Sequence, residues 1–408
     1  MPKQRTVKYW VGQIHLWLGL VSGLVVFIVS ITGCLFAFQE EISEVVYKHT
    51  FFIEARSGTP LPLTRLLYSA QTALGQGEPV NYITAYTEPN RAWEFMAYRY
   101  NDSAITYWGS MPYFRSVFIN PYTGAVTGYR DYRRDFFSVV KNIHWSLLLN
   151  TPYGQPIVGW GTLIFVVLLI TGLVLWWPKR WKKADRCRSF NIMWKARFKR
   201  LNYDLHNVLG FYSLLLALVI GLTGMVFAFT WFERAVHVVV SGTTAQPQAE
   251  VLTSDTTMAA PSAKAEASAP AAPRAVPAAV SGIPAASAGA LDQVYALTTG
   301  LLPSVRRIGI SPPVTPTDVI DVSAYYSRHT FYDRTDLDFD RYSGRLLQRK
   351  DNAKQSRAER LSSMNYDIHV GAVWGLAGKI LAFIISLICA SLPVTGFLVW
   401  WGKIRKKK

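Results

Sequence analysis

His15-Leu-Trp-Leu-Gly19 opens an apolar run that continues to Thr32-Gly33 and Ala37-Phe38, and His206-Asn-Val-Leu-Gly210 opens a second run with Thr223-Gly224 and Ala228-Phe229 at the same offsets. In both, seventeen residues separate the histidine from the threonine. Random apolar sequence rarely repeats such a pattern. A second pair agrees: His144 precedes Thr171-Gly172 and Trp176-Trp177, and His369 precedes Thr395-Gly396 and Trp400-Trp401, with offsets that differ by one residue. The chain reads as an internal duplication whose unit is two apolar spans, each with its own histidine.

Composition gives the class. Half of the residues are hydrophobic and 14% are aromatic, yet the net charge is +17, so apolar and basic residues must be segregated along the chain. Apolar runs at 16–38, 157–177, 208–232 and 380–401 are each long enough to cross a bilayer, for which roughly 20 helical residues suffice. Lys3, Arg5 and Lys8 precede the first run, lysines and arginines crowd 179–200, and Lys403 begins a basic tail. By the positive-inside rule both termini and the short central loop are cytoplasmic, and the two long connections lie outside. The basic clusters are read as topology signals that touch anionic headgroups, not nucleic acid.

The first run resembles a lipoprotein signal at Ile31-Thr-Gly-Cys34, but it continues through Phe38 and its Thr-Gly recurs at 223–224 without cysteine, so it reads as a retained helix. Cys34 and Cys389 fall within spans and Cys187 in the basic loop, which leaves no cysteine for a disulfide on the outer side and no metal-spaced pair.

Between the spans lie two segments that resemble each other. The first has a helix at 62–71, strands at 81–86 and 93–99, and a hairpin through Asn120-Pro-Tyr-Thr-Gly124; the second has a helix at 291–301, a strand at 319–325 and a hairpin through Asp340-Arg-Tyr-Ser-Gly344. Each is expected to be a small α+β lobe. The stretch 242–289, rich in Ala, Pro, Ser and Thr, lacks the apolar surface to offset ordering entropy and reads as a disordered linker. The expected division is 1–38 with the first span; 39–153, a lobe that includes a helix bearing His144; 154–177, the second span; 178–206, the basic loop; 207–232, the third span; 233–366, the second lobe with the linker; 367–402, an outer helix and the fourth span; and 403–408, the tail. The fold class is an all-α transmembrane bundle of four helices carrying two α+β lobes.

The four-span plan, the His-x-x-x-Gly openings at His15 and His206, the Asp-Ile-His369 motif and the Asn-Pro-Tyr-Thr-Gly124 hairpin resemble the PepSY-associated transmembrane family, and within it the ferric-siderophore reductases. The resemblance covers nearly the whole chain, the linker being the main departure. It implies a bacterial inner-membrane protein with PepSY-like periplasmic lobes that carries b-type haem and reduces ferric siderophores.

The histidines support a reading of their own. Intramembrane histidines face the bundle interior and bind a cofactor, relay protons or bond another helix. His15 and His206 lie at the cytoplasmic ends of their spans, and His144 and His369 on the outer side, so the two in one half are about 30 Å apart and cannot share an iron. Pairing therefore runs across the halves, His15 with His206 and His144 with His369, giving two bis-histidine haem sites whose iron keeps no open position. Gly12, Gly19, Gly23, Gly33, Gly210, Gly221 and Gly224 are read either as room for a porphyrin or as helix-packing positions. A zinc site needs more convergent ligands, and a proton relay needs acidic residues that the span cores lack. From His369 to Trp401 a straight helix would run about 48 Å, so a bend is expected, with the outer pair at or above the headgroups and Pro152 and Pro156 interrupting the other half. Glu40, Glu41 and Glu233 are read as interface markers, and His49, His237 and His329 as surface residues. The aromatic stretch 98–114 is read as lobe core, or as a contact for a bulky chelate.

The expected activity is transmembrane electron transfer from a cytoplasmic or quinol donor, through two haem b, to a ferric siderophore outside. Two rivals stay open: a regulatory module whose lobes hold a peptidase or propeptide, and a component of a metal or chelate transporter.

Overall fold

The structure is a computed structural model that describes residues 6–75, 77–178, 189–244, 252–255 and 285–405. In chain order the helices are α1 (Val7–Phe36), α2 (Gln39–Val46), α3 (Leu63–Leu74), α4 (Phe136–Ser146), α5 (Thr151–Trp176), α6 (Phe198–Asp204), α7 (Gly210–Ala228), α8 (Thr230–Ser241), α9 (Ala285–Leu301), α10 (Arg357–His369) and α11 (Gly375–Ile404). The strands are β1 (Tyr82–Tyr86), β2 (Trp93–Arg99), β3 (Tyr113–Ile119), β4 (Val126–Asp131), β5 (Arg307–Ser311), β6 (Ile320–Tyr325), β7 (Arg334–Phe339) and β8 (Leu346–Asp351).

Among the described residues, four helical stretches are long and apolar enough to cross a membrane: Val7–Phe36, Thr151–Trp176, Phe198–Ala228 and Ala372–Ile404. The third runs through a π-turn at Leu205–Leu209, which joins α6 to α7 and carries His206. α1 packs on α5 and α11, and α7 packs on the same two, so α1 and α7 stand diagonally across a four-helix ring. Its centre is filled by Leu169, Ala217, Ile385 and Cys389.

The expected bend is present in both halves, and its cause is not proline. Pro152 occupies the first turn of α5, where no helical N–H is lost, and Pro156 stays inside the helix. The chain turns instead at Leu147 and Leu148, both left-handed with φ of 55° and 61°, held as the Leu147 and Leu148 N–H groups donate to Ile143 O and Asn142 O. The other half turns at Gly371 and Gly375, where positive φ is free of Cβ strain. α4 and α10 are thus separate helices lying against the spans. Asp135 caps α4 by accepting from Phe137 N and Ser138 N, and Ser356 with Glu359 forms a capping box on α10.

α4 docks on α5 through Gly154, where a Cβ would overlap the Ser146 carbonyl. Gly154→Ala is therefore expected to lower stability by about 1–3 kcal/mol through overpacking, read as a fall in melting temperature, while Gly77→Ala, whose Cβ meets nothing, leaves it unchanged.

The two lobes are not separate bodies, which corrects the expectation. Their strands form one antiparallel sheet in the order β4-β3-β2-β1-β5-β6-β7-β8, closed at the centre by β1 pairing with β5, with Ile83 opposite Ile310 and Tyr86 opposite Arg307. β5 is not among the strands expected from the sequence, yet it supplies the seam and removes two exposed edges. The hairpins repeat as read: Asn120 Oδ1 accepts from Tyr122 N and Thr123 N, Asp340 Oδ1 from Tyr342 N and Ser343 N, and Gly124 and Gly344 take positive φ. Alternation sends Ile83, Phe95, Val117, Ile308, Ile310, Leu337 and Phe339 to one face, where they share a single core with Leu66 of α3 and Leu291 of α9. Asp292 ties the two helices by accepting from Thr64 N at 2.9 Å and Thr64 Oγ1 at 2.7 Å. The opposite face, with Tyr82, Thr84, Glu94, Arg307 and Tyr325, roofs a cavity over the helix ring.

The linker assigned to 242–289 lies mostly outside the described residues. Within it, 252–255 is docked, with Ser254 N donating to Thr317 O, Ser254 Oγ to Asp318 O and Asp255 N to Asp340 Oδ2, and α9 begins at Ala285. Those parts are bound to the sheet lobe rather than free, because they satisfy backbone groups at its rim. Cys187 lies outside the described residues, and Cys34 and Cys389 are buried and free.

Candidate functional site

The four histidines come together as two pairs, one at each end of the ring. The His15 and His206 ring centroids are 6.4 Å apart and those of His144 and His369 6.0 Å apart. Two imidazoles that ligate one metal ion through opposed nitrogens, each about 2 Å from it, have centroids about 6 Å apart. Both pairs match that spacing. Among the described residues no group of three or more His, Cys, Asp or Glu converges, so each pair offers two nitrogens, an axial set rather than a tetrahedral one.

One local device holds all four rings. His15 Nδ1 lies 2.9 Å from Thr171 Oγ1, His206 Nδ1 3.0 Å from Thr395 Oγ1, His369 Nδ1 2.9 Å from Thr223 Oγ1, and His144 Nδ1 3.3 Å from Thr32 Oγ1. A carbonyl three residues before the threonine completes the cradle of the His144–His369 pair, Val29 O at 2.8 Å from His144 and Ile220 O at 3.1 Å from His369. Each threonine hydroxyl donates to its own helix, Thr171 to Val167 O and Thr395 to Ser391 O for example. Its oxygen can then only accept, as can the carbonyl at His144 and His369, so every Nδ1 carries the proton and every Nε2 keeps its lone pair for a ligand. This is the outer-partner arrangement that orients metal-binding imidazoles.

The glycine after each threonine makes the room. A Cβ on Gly33 would meet His144 Cε1 at 3.2 Å, on Gly172 His15 at 3.4 Å, on Gly224 His369 at 3.4 Å and on Gly396 His206 at 3.1 Å. Gly33 and Gly224 thus seat imidazoles and also line the cavity beside them. Gly12, Gly19, Gly23, Gly210 and Gly221 meet Leu175, Leu168, Pro393, Leu392 and Val166, which is helix packing. Thr-Gly was visible four times in the sequence as a repeat marker, but its partner was not. Each cradle is made within one half, while each pair forms across the halves.

Of the further holding groups, only Asp367 had a signal in the sequence, as the first residue of the Asp-Ile-His369 motif. Asn202 Nδ2 donates to Thr395 O at 3.0 Å and Asn365 Nδ2 to Thr223 O at 3.2 Å. Asp204 and Asp367, each two residues before a histidine, are fully buried; Asp204 accepts from Met193 N and Arg200 Nε, and Asp367 from Phe331 N and Tyr332 N.

The His144–His369 pair does not stand above the spans, as the helix-length argument suggested. Its rings bond Val29, Thr32, Ile220 and Thr223, one to two turns inside the ends of α1 and α7, because α4 and α10 fold back against the ring. His15 and Thr32 on α1 are then separated by about 25 Å of helix, which sets the axial distance between the pairs.

The pair opens on a cavity of about 1140 Å³ that extends from Val25, Ala217 and Cys389 in the ring to the underside of the sheet. From the 98–114 stretch, Tyr100, Tyr107 and Phe114 line it. Tyr107 is buried and donates toward Tyr132 O and Arg133 O, so it is core and wall together, and burial pushes its phenol up to about 12. His329, read as a surface residue, also lines the cavity and meets Glu40 at 3.4 Å. Glu40 and Glu41 pair with buried Lys379 at 3.3 and 2.8 Å, so they are anchors and not only interface markers. Burial opposes ionisation of Glu40, but His329 and Lys379 hold its carboxyl below the usual range.

A family model, the PepSY-associated TM region, matches residues 13–403. No curated protein matches the chain.

Proposed function

The chain belongs to the family of the PepSY-associated TM region and is a membrane protein with four apolar helices, and from that premise we propose that it is a di-haem b oxidoreductase that moves electrons across the bacterial inner membrane to reduce ferric siderophores. The observation that carries this reading is the fourfold cradle, in which every paired histidine has its Nδ1 proton engaged and its Nε2 free at axial spacing. His15 with His206 would hold one haem and His144 with His369 the other. Haem b, when bound, supplies reversible one-electron chemistry at iron without an open coordination position.

The residues do the placing. The threonine on each Nδ1–H, with the carbonyl at His144 and His369, raises the basicity of the imidazole and fixes its plane. The ring core of Leu169, Ala217, Ile385 and Cys389 sets apolar side chains between the two levels. The cavity under the sheet gives a bulky chelate access to the His144–His369 level, and this end would be periplasmic, with both termini cytoplasmic. The matching element order of the two halves supports a duplicated origin with two PepSY-like lobes fused at β1 and β5. A siderophore holds Fe(III) through hard oxygen donors far more tightly than Fe(II), so delivery of one electron releases the metal.

An absorbance spectrum of the purified chain tests this directly. We expect a Soret band, sharp reduced α and β bands and no change on adding carbon monoxide, since both axial positions are filled. A colourless protein would leave the regulatory or transport readings.

A further inference from the structure

Five arginines line the cavity, and four of them are matched by carboxylates: Arg91 and Arg328 by Glu44, Arg130 by Asp135 at 2.9 Å, and Arg334 by Asp336 at 3.0 Å. Arg307 is the exception. Among the described residues no carboxylate comes within ion-pair distance of it, and its Nη2 is buried without a hydrogen-bond partner. Its guanidinium is clamped between two rings, 4.3 Å from the Tyr325 centroid and 4.5 Å from that of Phe331. Of the nearby acids, Glu94 accepts from Tyr132 Oη, Glu40 pairs with Lys379, and Asp367 takes two backbone N–H groups on Oδ2 while its Oδ1 lies beyond ion-pair distance of Arg307 and has no partner.

Arg307 is half-buried, but a guanidinium nitrogen shut from water without a partner is costly, and the two aromatic faces offset only part of that cost. The clamp also fixes the group at the β1–β5 seam, in the centre of the roof, opposite Tyr86. Phe331 links it to the histidine level, packing on Tyr366 at 5.2 Å while its N–H bonds Asp367, two residues before His369. Lys141, a turn before His144, is a second lining cation, without the aromatic clamp that fixes Arg307.

We infer that Arg307 is an anion-binding residue that takes a ligand carboxylate entering the cavity beside His144 and His369. The carboxylate has two sources, a propionate of the macrocycle or an acid group of a soluble chelate, and the first rests on the haem reading above.

The test uses the purified full-length chain as wild type, Arg307→Gln and Arg307→Lys. In one arm each protein, stripped of pigment, is titrated with haem b and with its dimethyl ester, and uptake is followed at the Soret band. A propionate partner predicts that wild type prefers the free acid by about 10- to 100-fold and that Arg307→Gln loses the preference. In the other arm citrate binding is measured by calorimetry, and a chelate partner predicts a similar loss in Arg307→Gln there. Arg307→Lys, which keeps the charge, should retain part of the effect, and it gives the comparison if the glutamine variant does not fold. If wild type takes up no haem, the haem reading fails and citrate binding to the colourless protein decides the matter for Arg307. Equal behaviour of wild type and Arg307→Gln in every arm that wild type supports, with equal melting temperatures, overturns the proposal.

Discussion

Replacing His369 with alanine is expected to halve the haem bound per chain, from two to one, and replacing His144 is expected to remove the same haem. The reason is geometric: the two rings face each other at 6.0 Å, but each is held by a different half, His144 by Val29 and Thr32, His369 by Ile220 and Thr223. Loss of one ring leaves the other in its cradle with no partner across the site. The double variant His144→Ala/His369→Ala should therefore lose no more haem than either single variant, and His15→Ala with His206→Ala should behave likewise at the other end. Pyridine haemochrome assays against protein concentration give the count, and low-temperature α-bands tell the two haems apart. If His15→Ala and His206→Ala depleted spectrally different haems, the cross-half pairing would be wrong whatever the total.

The second large effect concerns sidedness. Ferric chelate added outside right-side-out vesicles is expected to bleach the dithionite-reduced α-band without entering, because the cavity that reaches His144 and His369 lies at the sheet end of the helix ring. His369→Ala should abolish that bleaching while the band of the His15–His206 level still appears on reduction from the cytoplasmic side. His206→Ala should do the reverse: the remaining band, once reduced chemically, is still bleached by chelate but is no longer restored by a cytoplasmic donor. The contrast follows from about 25 Å of helix between the levels, too far for chelate to reach both. Equal loss of bleaching in the two variants would argue against a directional path and leave one haem with a structural role only.

By itself the sequence determined what depends on local pattern. Apolar length located four spans, since roughly 20 helical residues are needed to cross a bilayer. Alternation and turn chemistry located seven of the eight strands and both hairpins, Asn120 to Gly124 and Asp340 to Gly344, because an Asx side chain and a positive-φ glycine write such a turn into adjacent residues. Equal offsets from histidine to threonine exposed the two-part plan, and opposite ends of antiparallel spans showed which histidines are neighbours.

Only the tertiary structure decided what depends on contact between distant segments. That Thr32, Thr171, Thr223 and Thr395 are hydrogen-bond partners of the histidines lay in residues 112 to 189 positions apart, a separation no periodicity reports. The merging of two lobes into one sheet rests on β5, whose short alternation of Ile308 and Ile310 about Gly309 does not say that it pairs with β1 as well as with β6. The place of the His144–His369 pair, one to two turns inside the ends of α1 and α7, also depends on contact, because α4 and α10 turn back at Leu147 and Gly371 to lie against the spans. Arg307, one of many basic residues in the sequence, stands out only once folding has matched the other arginines of the cavity with carboxylates and left its own half-buried guanidinium without one.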